Sequence, residues 1–178
     1  MFCAVNEVTA TLARTHMIES IFVAAEKGSP SIEVGEIQVV TGRGIVGDRH
    51  FDKHRVSGQN LTLIEAEEVE RFNAIYGQSI KASSTRRNIV TRLVRLNELV
   101  GKRFKIGDVV LYGVELCEPC TKLGKVLATA DMESKDAIKA WVHKAGLRAD
   151  VKSGGIIRVG MNVTEIDGRH ITTAKVFS

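Results

Sequence analysis

The sequence predicts a β-rich fold that is barrel-like and interrupted by a few helices. Three observations point to it: short alternating or β-branched runs recur along the chain, glycines punctuate them, and the regular strand–helix alternation of a doubly wound sheet is missing. The 178 residues match the length of a single domain, 1–178, which can bury a core without disulfide or metal cross-links.

Nine segments have the composition and alternation typical of strands. They are Val8–Leu12, Ser20–Ala24, Gly35–Val40, Leu61–Ile64, Asn88–Thr91, Arg103–Ile106, Val109–Leu116, Ile156–Val159 and Ile171–Val176. The Gly107–Asp108 pair, between two of these segments, predicts a tight hairpin turn.

Three segments have helical patterns. Glu65–Tyr76 carries acidic residues in its early turns and ends at Gly77, a suitable C-terminal cap. Ser134–Ala145 predicts a second helix, with its first residue as N-cap and Gly146 at its end, and Thr121–Ala128 predicts a shorter third. The apolar residues expected to face the core are Val69, Phe72 and Tyr76 in the first helix and Ile138, Trp141 and Val142 in the second.

The composition excludes several classes of protein. With 44% hydrophobic and 26% charged residues the chain is not a disordered one, and no apolar run approaches the roughly 20 residues of a membrane-spanning helix. No secretory signal is visible, so we expect a cytoplasmic protein without membrane contact. The net charge of +4 suits an anionic small molecule, and with only 5% aromatic residues nucleic-acid binding is disfavoured.

The segment Val109–Thr121 carries the clearest chemical signal, because a hydrophobic strand runs directly into Cys117-Glu118-Pro119-Cys120. If a helix begins after Cys120, its free N–H groups lower the pKa of that thiol and favour the thiolate, which binds soft metals and transfers sulfur. Three other interpretations stay open: a zinc site that recruits histidines, a redox-active dithiol, and two cysteines that pack as small apolar residues. Cys120 is our candidate catalytic residue and metal ligand.

Two polar clusters are candidate ligand-binding segments. Gly42–His50 is a glycine-rich loop that ends in Asp48, Arg49 and His50, and it lacks the Gly-Lys-Ser/Thr ending of a phosphate loop. Ser83–Asn88 combines hydroxyls with the Arg86–Arg87 pair, which suits phosphate recognition. Strand alternation would send the two arginines to opposite faces, so that one of them reaches a shared site. Ordinary surface turns are the alternative interpretation of both clusters.

Taken together, these motifs resemble the MOSC domains, named for the C-terminal domain of molybdenum cofactor sulfurase. The resemblance rests on several motifs in the same order: Gly44–His50, Leu61–Glu65, Arg86–Thr91, Leu96–Asp108 and Cys117–Cys120. It implies a barrel-like β fold and a molybdenum cofactor (molybdopterin), with Cys120 carrying sulfur or binding the metal. By matching position, it also implies cofactor-binding residues, namely Asp48, Arg49, His50, Arg86, Arg87, Asn88 and Thr91.

The chain departs from the family pattern at three positions. Leu93 stands where relatives usually have glycine, Arg95 where aspartate is frequent, and Met161, in Gly160-Met161, where Gly-Asp is common. We expect the bulk of Leu93 to narrow the mouth of the pocket. Pyridoxal phosphate is not expected, because the sulfurase domain that binds it is absent from the 178 residues.

The resemblance leaves three functions open. The chain is expected to be a molybdenum-dependent reductase of N-hydroxylated compounds, a carrier that holds sulfur on Cys120, or a non-enzymatic interaction domain. A reductase would take electrons from a partner protein, since no flavin or iron–sulfur motif is present. Cofactor-biosynthesis proteins would be the partners of a carrier.

Overall fold

A computed structural model describes residues 16–53, 56–129 and 132–166. The strands are Met17–Val23 (β1), Ile32–Val34 (β2), Glu36–Val40 (β3), Gly44–Ile45 (β4), Leu61–Glu65 (β5), Ile89–Arg92 (β6), Arg103–Ile106 (β7), Val109–Leu116 (β8), Leu147–Ser153 (β9), Gly155–Arg158 (β10) and Val163–Glu165 (β11). The helices are Ala66–Tyr76 (α1), Thr121–Leu127 (α2) and Ser134–Trp141 (α3), with 3₁₀ helices at Ala82–Thr85 and Leu96–Leu99. The predicted strands Val8–Leu12 and Ile171–Val176 lie outside the described residues.

The strands form one large mixed sheet and one small sheet. The large sheet has the order β11-β7-β8-β9-β5-β6-β1-β2, and the small one has the order β10-β3-β4. The β5–β6 pair is parallel, because α1 lies in the crossover between these strands, and the other paired strands are antiparallel.

The large sheet curls until β1, which lies beside the end strand β2, meets the segment that leads into β11 at the other end. Met17, at the start of β1, forms an antiparallel bridge with Asn162, which immediately precedes β11. Beside it the Ile18 N–H donates to the Met161 carbonyl at 2.9 Å. These contacts do not make a continuous closed ladder, but they give the sheet a barrel-like form. The predicted β-rich, barrel-like fold class is confirmed.

Two clusters of buried side chains lie on opposite faces of the central strands. Leu63 and Ile89 belong to the larger cluster, inside the curled sheet, whereas Ile64 and Val90 belong to the cluster beneath the helices. This division follows from the two-residue side-chain period of β5 and β6. The helical cluster includes Leu123 of α2 and the fully buried Trp141 of α3, so both helices are anchored on the same face of the sheet.

The predicted helices are confirmed in position, with one correction to length. Gly77 ends α1 in the left-handed region at φ 60°, as expected. The second predicted helix, Ser134–Ala145, was too long: α3 ends at Trp141, because Val142 and His143 leave helical geometry and His143 has φ 60°. Glu133, rather than Ser134, occupies the N-cap position. Val142 is therefore exposed instead of facing the core.

No helix in the described ranges is long and apolar enough to span a membrane.

Candidate functional site

An open cavity of about 660 Å³ lies where four segments of the chain meet. These are the loop after β1, the loop after β4, the turn that follows the first 3₁₀ helix, and the beginning of α2. The residues that line it are Lys27, Gly28, Arg49, His50, Lys53, Ser84, Thr85, Arg86, Arg87, Cys120, Lys122, Leu123 and Val126. Six of these side chains are cationic, and no carboxylate from the described residues is among them.

Cys120 presents an exposed thiol to this cavity. It occupies the N-cap position of α2, and it is reached from the buried strand β8 through Glu118 and Pro119. The backbone N–H of Leu123 lowers the pKa of the Cys120 thiol, partial burial opposes this, and the N–H of Lys122 and the charges of Arg87 and Lys122 lower it further. The site therefore favours the thiolate, as the sequence predicted from a helix after Cys120.

Cys117, three residues earlier, has a different environment. It is 3% exposed and does not line the cavity, and its N–H donates to the Gly146 carbonyl at 2.7 Å. The two thiols are thus not equivalent. No group of three or more His, Cys, Asp or Glu side chains that could hold a metal occurs within the described part of the chain.

Arg87 is fixed by backbone carbonyls from three segments. Its Nε donates to Ala145 at 2.7 Å, its Nη2 to Cys117 at 3.2 Å, and its Nη1 to Thr85 at 3.3 Å. Burial lowers the pKa of Arg87, and the nearby thiols of Cys117 and Cys120 oppose this effect. A half-buried guanidinium is thereby held beside the thiol before any ligand arrives.

Arg86 lines the same cavity, contrary to the prediction that strand alternation would separate the two arginines. The strand begins only at Ile89, and Arg86 caps the 3₁₀ helix with φ 59°. This left-handed turn directs both guanidiniums to one side. The Arg86 Nη1 donates to the Ser29 carbonyl at 3.1 Å, which joins this turn to the loop after β1.

The glycine-rich loop contributes two of its three predicted polar residues directly. Arg49 and His50 line the cavity, and the Arg49 Nε donates to His50 Nε2 at 3.1 Å. Burial lowers the pKa of Arg49, the charge of Arg86 lowers it further, and Asp48 opposes both. Asp48 does not line the cavity, and its carboxylate accepts hydrogen bonds from the N–H groups of His50 at 2.9 Å and Ala24 at 3.3 Å.

Asn88 and Thr91 also lie outside the cavity lining. The Asn88 Oδ1 accepts from the N–H and the hydroxyl of Thr62, and its Nδ2 donates to Asp48 at 3.4 Å. The Thr91 hydroxyl, fully buried in β6, donates to the Ile64 carbonyl at 3.2 Å. The contacts of Asp48, Asn88 and Thr91 are with the fold itself, and their role in cofactor binding stays a prediction.

The three departures from the family pattern all lie away from the cavity lining. Leu93 is buried in a left-handed conformation with φ 61°, Arg95 lies 3.4 Å from Glu65, and Met161 packs against the core. Leu93 therefore does not narrow the cavity mouth as expected, because its side chain is enclosed in the protein.

Sequence reasoning missed the lysines of the cavity. Lys122 follows Cys120 by two residues, which was an available signal, but Lys27 and Lys53 come from separate loops with no local motif. Leu123 and Val126 of α2, which form an apolar part of the wall, were likewise not singled out.

A curled β sheet and a basic cavity with one exposed thiol define the class of this protein. The family model for the MOSC domain matches residues 47–164, a span that includes Cys120 and both arginines of the turn. The chain belongs to the MOSC domain family.

Solved structures share this fold at low sequence identity. YuaD from Bacillus subtilis has a TM-score of 0.74 at 17% identity, over 84% of this chain and 94% of that one. YiiM from Geobacillus stearothermophilus has a TM-score of 0.66 at 18% identity, over 85% and 75% of the two chains. YiiM from Escherichia coli has a TM-score of 0.60 at 16% identity, over 89% and 73%. Comparison with curated proteins gives no match.

Proposed function

We propose that this protein binds molybdenum cofactor in the basic cavity and acts as a reductase of N-hydroxylated compounds, with Cys120 as the protein ligand of the metal. The observation that carries the proposal is an exposed thiol of lowered pKa beside a preformed cluster of guanidiniums. The family is associated with this cofactor. We place the protein in the cytoplasm, where a free thiol stays reduced.

The chemistry of the lining residues fits this group. A thiolate is a suitable ligand for a soft metal, and arginine side chains bind phosphate with directed hydrogen bonds. Because the described residues hold no cluster of metal-binding side chains, the metal would have to arrive with ligands of its own, as it does in a pterin cofactor. Arg86 and Arg87 would hold the anionic end, and Cys120 would hold the metal.

The residues of the chain have distinct tasks in this proposal. Bound cofactor supplies two-electron redox chemistry suited to removing oxygen from nitrogen, and a partner protein supplies the electrons. The N–H groups at the start of α2 favour the ionised form of Cys120, and the carbonyls of Ala145, Cys117 and Thr85 keep Arg87 in place. Preorganisation of this kind lowers the cost of ordering the site when the ligand binds.

Molybdenum content per chain after anaerobic co-expression with cofactor synthesis tests the proposal. We expect near-stoichiometric metal in the wild type and its loss in Cys120→Ser. Cys117→Ser is the matched control, since the buried Cys117 does not line the cavity and its variant should retain the metal. Absence of metal from correctly folded wild type would contradict the proposal.

Sulfur transfer is the second candidate, because the same exposed thiolate could hold a persulfide. Mass spectrometry of Cys120 after co-expression with a desulfurase distinguishes the two functions. A persulfide on Cys120 in protein that contains no molybdenum would favour the carrier.

A further inference from the structure

The cationic side chains of the cavity form two groups that differ in burial, three arginines and three lysines. Arg49, Arg86 and Arg87 are half-buried, and each donates a hydrogen bond to the protein itself. Lys27, Lys53 and Lys122 are exposed at the rim, and none of the three forms an ion pair with a described residue. The arginines are therefore fixed in advance, whereas the lysines remain available to a ligand.

A single phosphate group carries too little negative charge to neutralise the six cationic side chains of the cavity. A phosphate monoester carries about two negative charges at neutral pH. Together with the thiolate of Cys120 it would leave roughly half of the six cationic side chains without a counter-charge. The uncompensated charges are those of the exposed lysines, which bind phosphate as mobile point charges.

An apolar strip lies next to these lysines. Leu123 and Val126 are three residues apart on α2 and therefore share a face of the helix, and Lys122 is four residues from Val126 on the same side. The Val126 side chain is 53% exposed although it lines the cavity. Leu123 is 7% exposed and belongs to the helical core, so Val126 supplies most of this apolar surface. An apolar surface flanked by cations suits a ligand that has a planar body and an anionic group.

We propose that Lys27, Lys53 and Lys122 form a second anion subsite, and that the molecule bound there, in the same cavity as Cys120, is a phosphorylated planar compound of the nucleoside monophosphate class. The planar body lies against Leu123 and Val126, and its phosphate lies between the lysines. The proposal rests on the proposed function in one respect only: it assumes that the three arginines bind the phosphate of the cofactor.

Calorimetric titration of the full chain with adenosine monophosphate and with adenosine tests the second subsite. We expect the monophosphate to bind more tightly than the nucleoside, and its Kd to rise about tenfold in Lys27→Gln/Lys53→Gln. Lys105→Gln/Lys125→Gln removes the same charge from exposed lysines outside the cavity, so its Kd should equal that of the wild type. The difference between the two double variants should shrink as salt is raised.

The outcomes separate this proposal from the proposed function. Lysine-dependent binding of the monophosphate in a protein that takes up no molybdenum would overturn the proposed function and support the subsite. Equal affinity for nucleoside and monophosphate, or equal Kd values in Lys27→Gln/Lys53→Gln and wild type, would overturn the subsite whatever the metal content. Molybdenum content should be the same in both double variants, because neither alters Cys120 or the arginines.

Discussion

The reactivity of Cys120 depends on its position at a helix start more than on its neighbours in sequence. Cys117 lies three residues away on the same segment, yet it is buried and its N–H is paired with Gly146. What distinguishes Cys120 is the set of N–H groups in the first turn of α2, helped by the charges of Arg87 and Lys122. This environment increases the fraction of thiolate at a given pH, and the thiolate is the nucleophilic form of cysteine.

The pH dependence of alkylation tests this account of Cys120. Because its pKa is lowered, the rate of reaction with iodoacetamide should rise at lower pH than that of an unstructured cysteine peptide. Lys122→Gln removes one of the charges that lower the pKa, so the rate at pH 7 should fall by about two- to threefold. The rate is measured on the Cys120 peptide by mass spectrometry. Lys125→Gln is the control, and a wild-type profile identical to that of the free peptide would refute the account.

At the scale of elements, the turn between α3 and β9 links the fold to the site. Ala145 supplies the carbonyl that holds Arg87, and Gly146 supplies the one that holds Cys117. On the other side of the turn, Glu118 accepts from the His143 N–H at 3.1 Å and lies 2.7 Å from its Nδ1. The turn and the cysteine segment therefore position each other.

Gly146→Ala should disrupt this turn. Gly146 has φ 103°, and a Cβ there would lie 1.9 Å from the Leu63 carbonyl oxygen of β5. Since a backbone atom cannot move aside cheaply, we expect the free energy of unfolding to fall by about 3 kcal/mol or more in chemical denaturation.

Gly35→Ala is the matched control for this substitution. Nothing lies within 4 Å of a Cβ at Gly35, so its change should stay within about 1 kcal/mol. Equal stabilities of the two variants would show that the β9 turn tolerates a side chain.

The sequence predicts most elements around this turn but not β9 itself. Leu147–Ser153 contains Arg148, Asp150 and Lys152, and Val151 is its one β-branched aliphatic residue, so local composition gives little strand signal. Its strand conformation comes from pairing with β5 and β8 on either side. The preceding helix is predicted too long because the sequence places its end at Gly146, whereas the backbone leaves helical geometry at Val142 and His143. The short strands β2, β4 and β11 also depend on their partners and were not predicted.

At the scale of the molecule, the cavity lining combines residues that the sequence predicts with residues that only the folded structure brings to the site. Local motifs predict Cys120, Arg86 and Arg87 and, in the glycine-rich loop, Arg49 and His50, and the family resemblance assigns all five to one cofactor site. Lys27 and Lys53 lie in loops that only the curled sheet brings together. The sequence does not distinguish polar residues that line the cavity from those that lie outside it, such as Asp48, Asn88 and Thr91. Only the structure shows that these three form hydrogen bonds within the fold.

The stability of the whole molecule should depend on pH through Glu65. This residue ends β5, is 5% exposed, and its Oε1 accepts from the Leu96 N–H at 2.9 Å. Burial raises its pKa to about 7, against the opposing effects of the Leu96 N–H and Arg95. The folded state therefore binds the proton more tightly than the unfolded state, and this stabilisation is complete below about pH 4.5 and lost as the pH rises through 7.

Glu65→Gln tests this expectation, because glutamine is neutral at every pH. Between pH 4.5 and pH 8 the wild type should lose up to about 3 kcal/mol more than Glu65→Gln in the free energy of unfolding, measured in urea. Glu98→Gln changes the net charge equally at an exposed position and serves as the control. Parallel pH profiles of wild type and Glu65→Gln would rule out the assigned role of Glu65.

The three carbonyls that hold Arg87 determine when, during folding, this guanidinium reaches its position beside Cys120. They come from Thr85, Cys117 and Ala145, and the contacts to Cys117 and Ala145 span 30 and 58 residues of chain. Contacts of such separation form late, after the loops between them have closed. A nascent chain therefore carries Cys120 without the charge of Arg87 beside it. The N–H groups of α2 act on the thiol once that helix has formed, whereas the charge of Arg87 is added only when folding is complete. A partner that supplies sulfur or cofactor would therefore meet the full set of groups around Cys120 only in the finished protein.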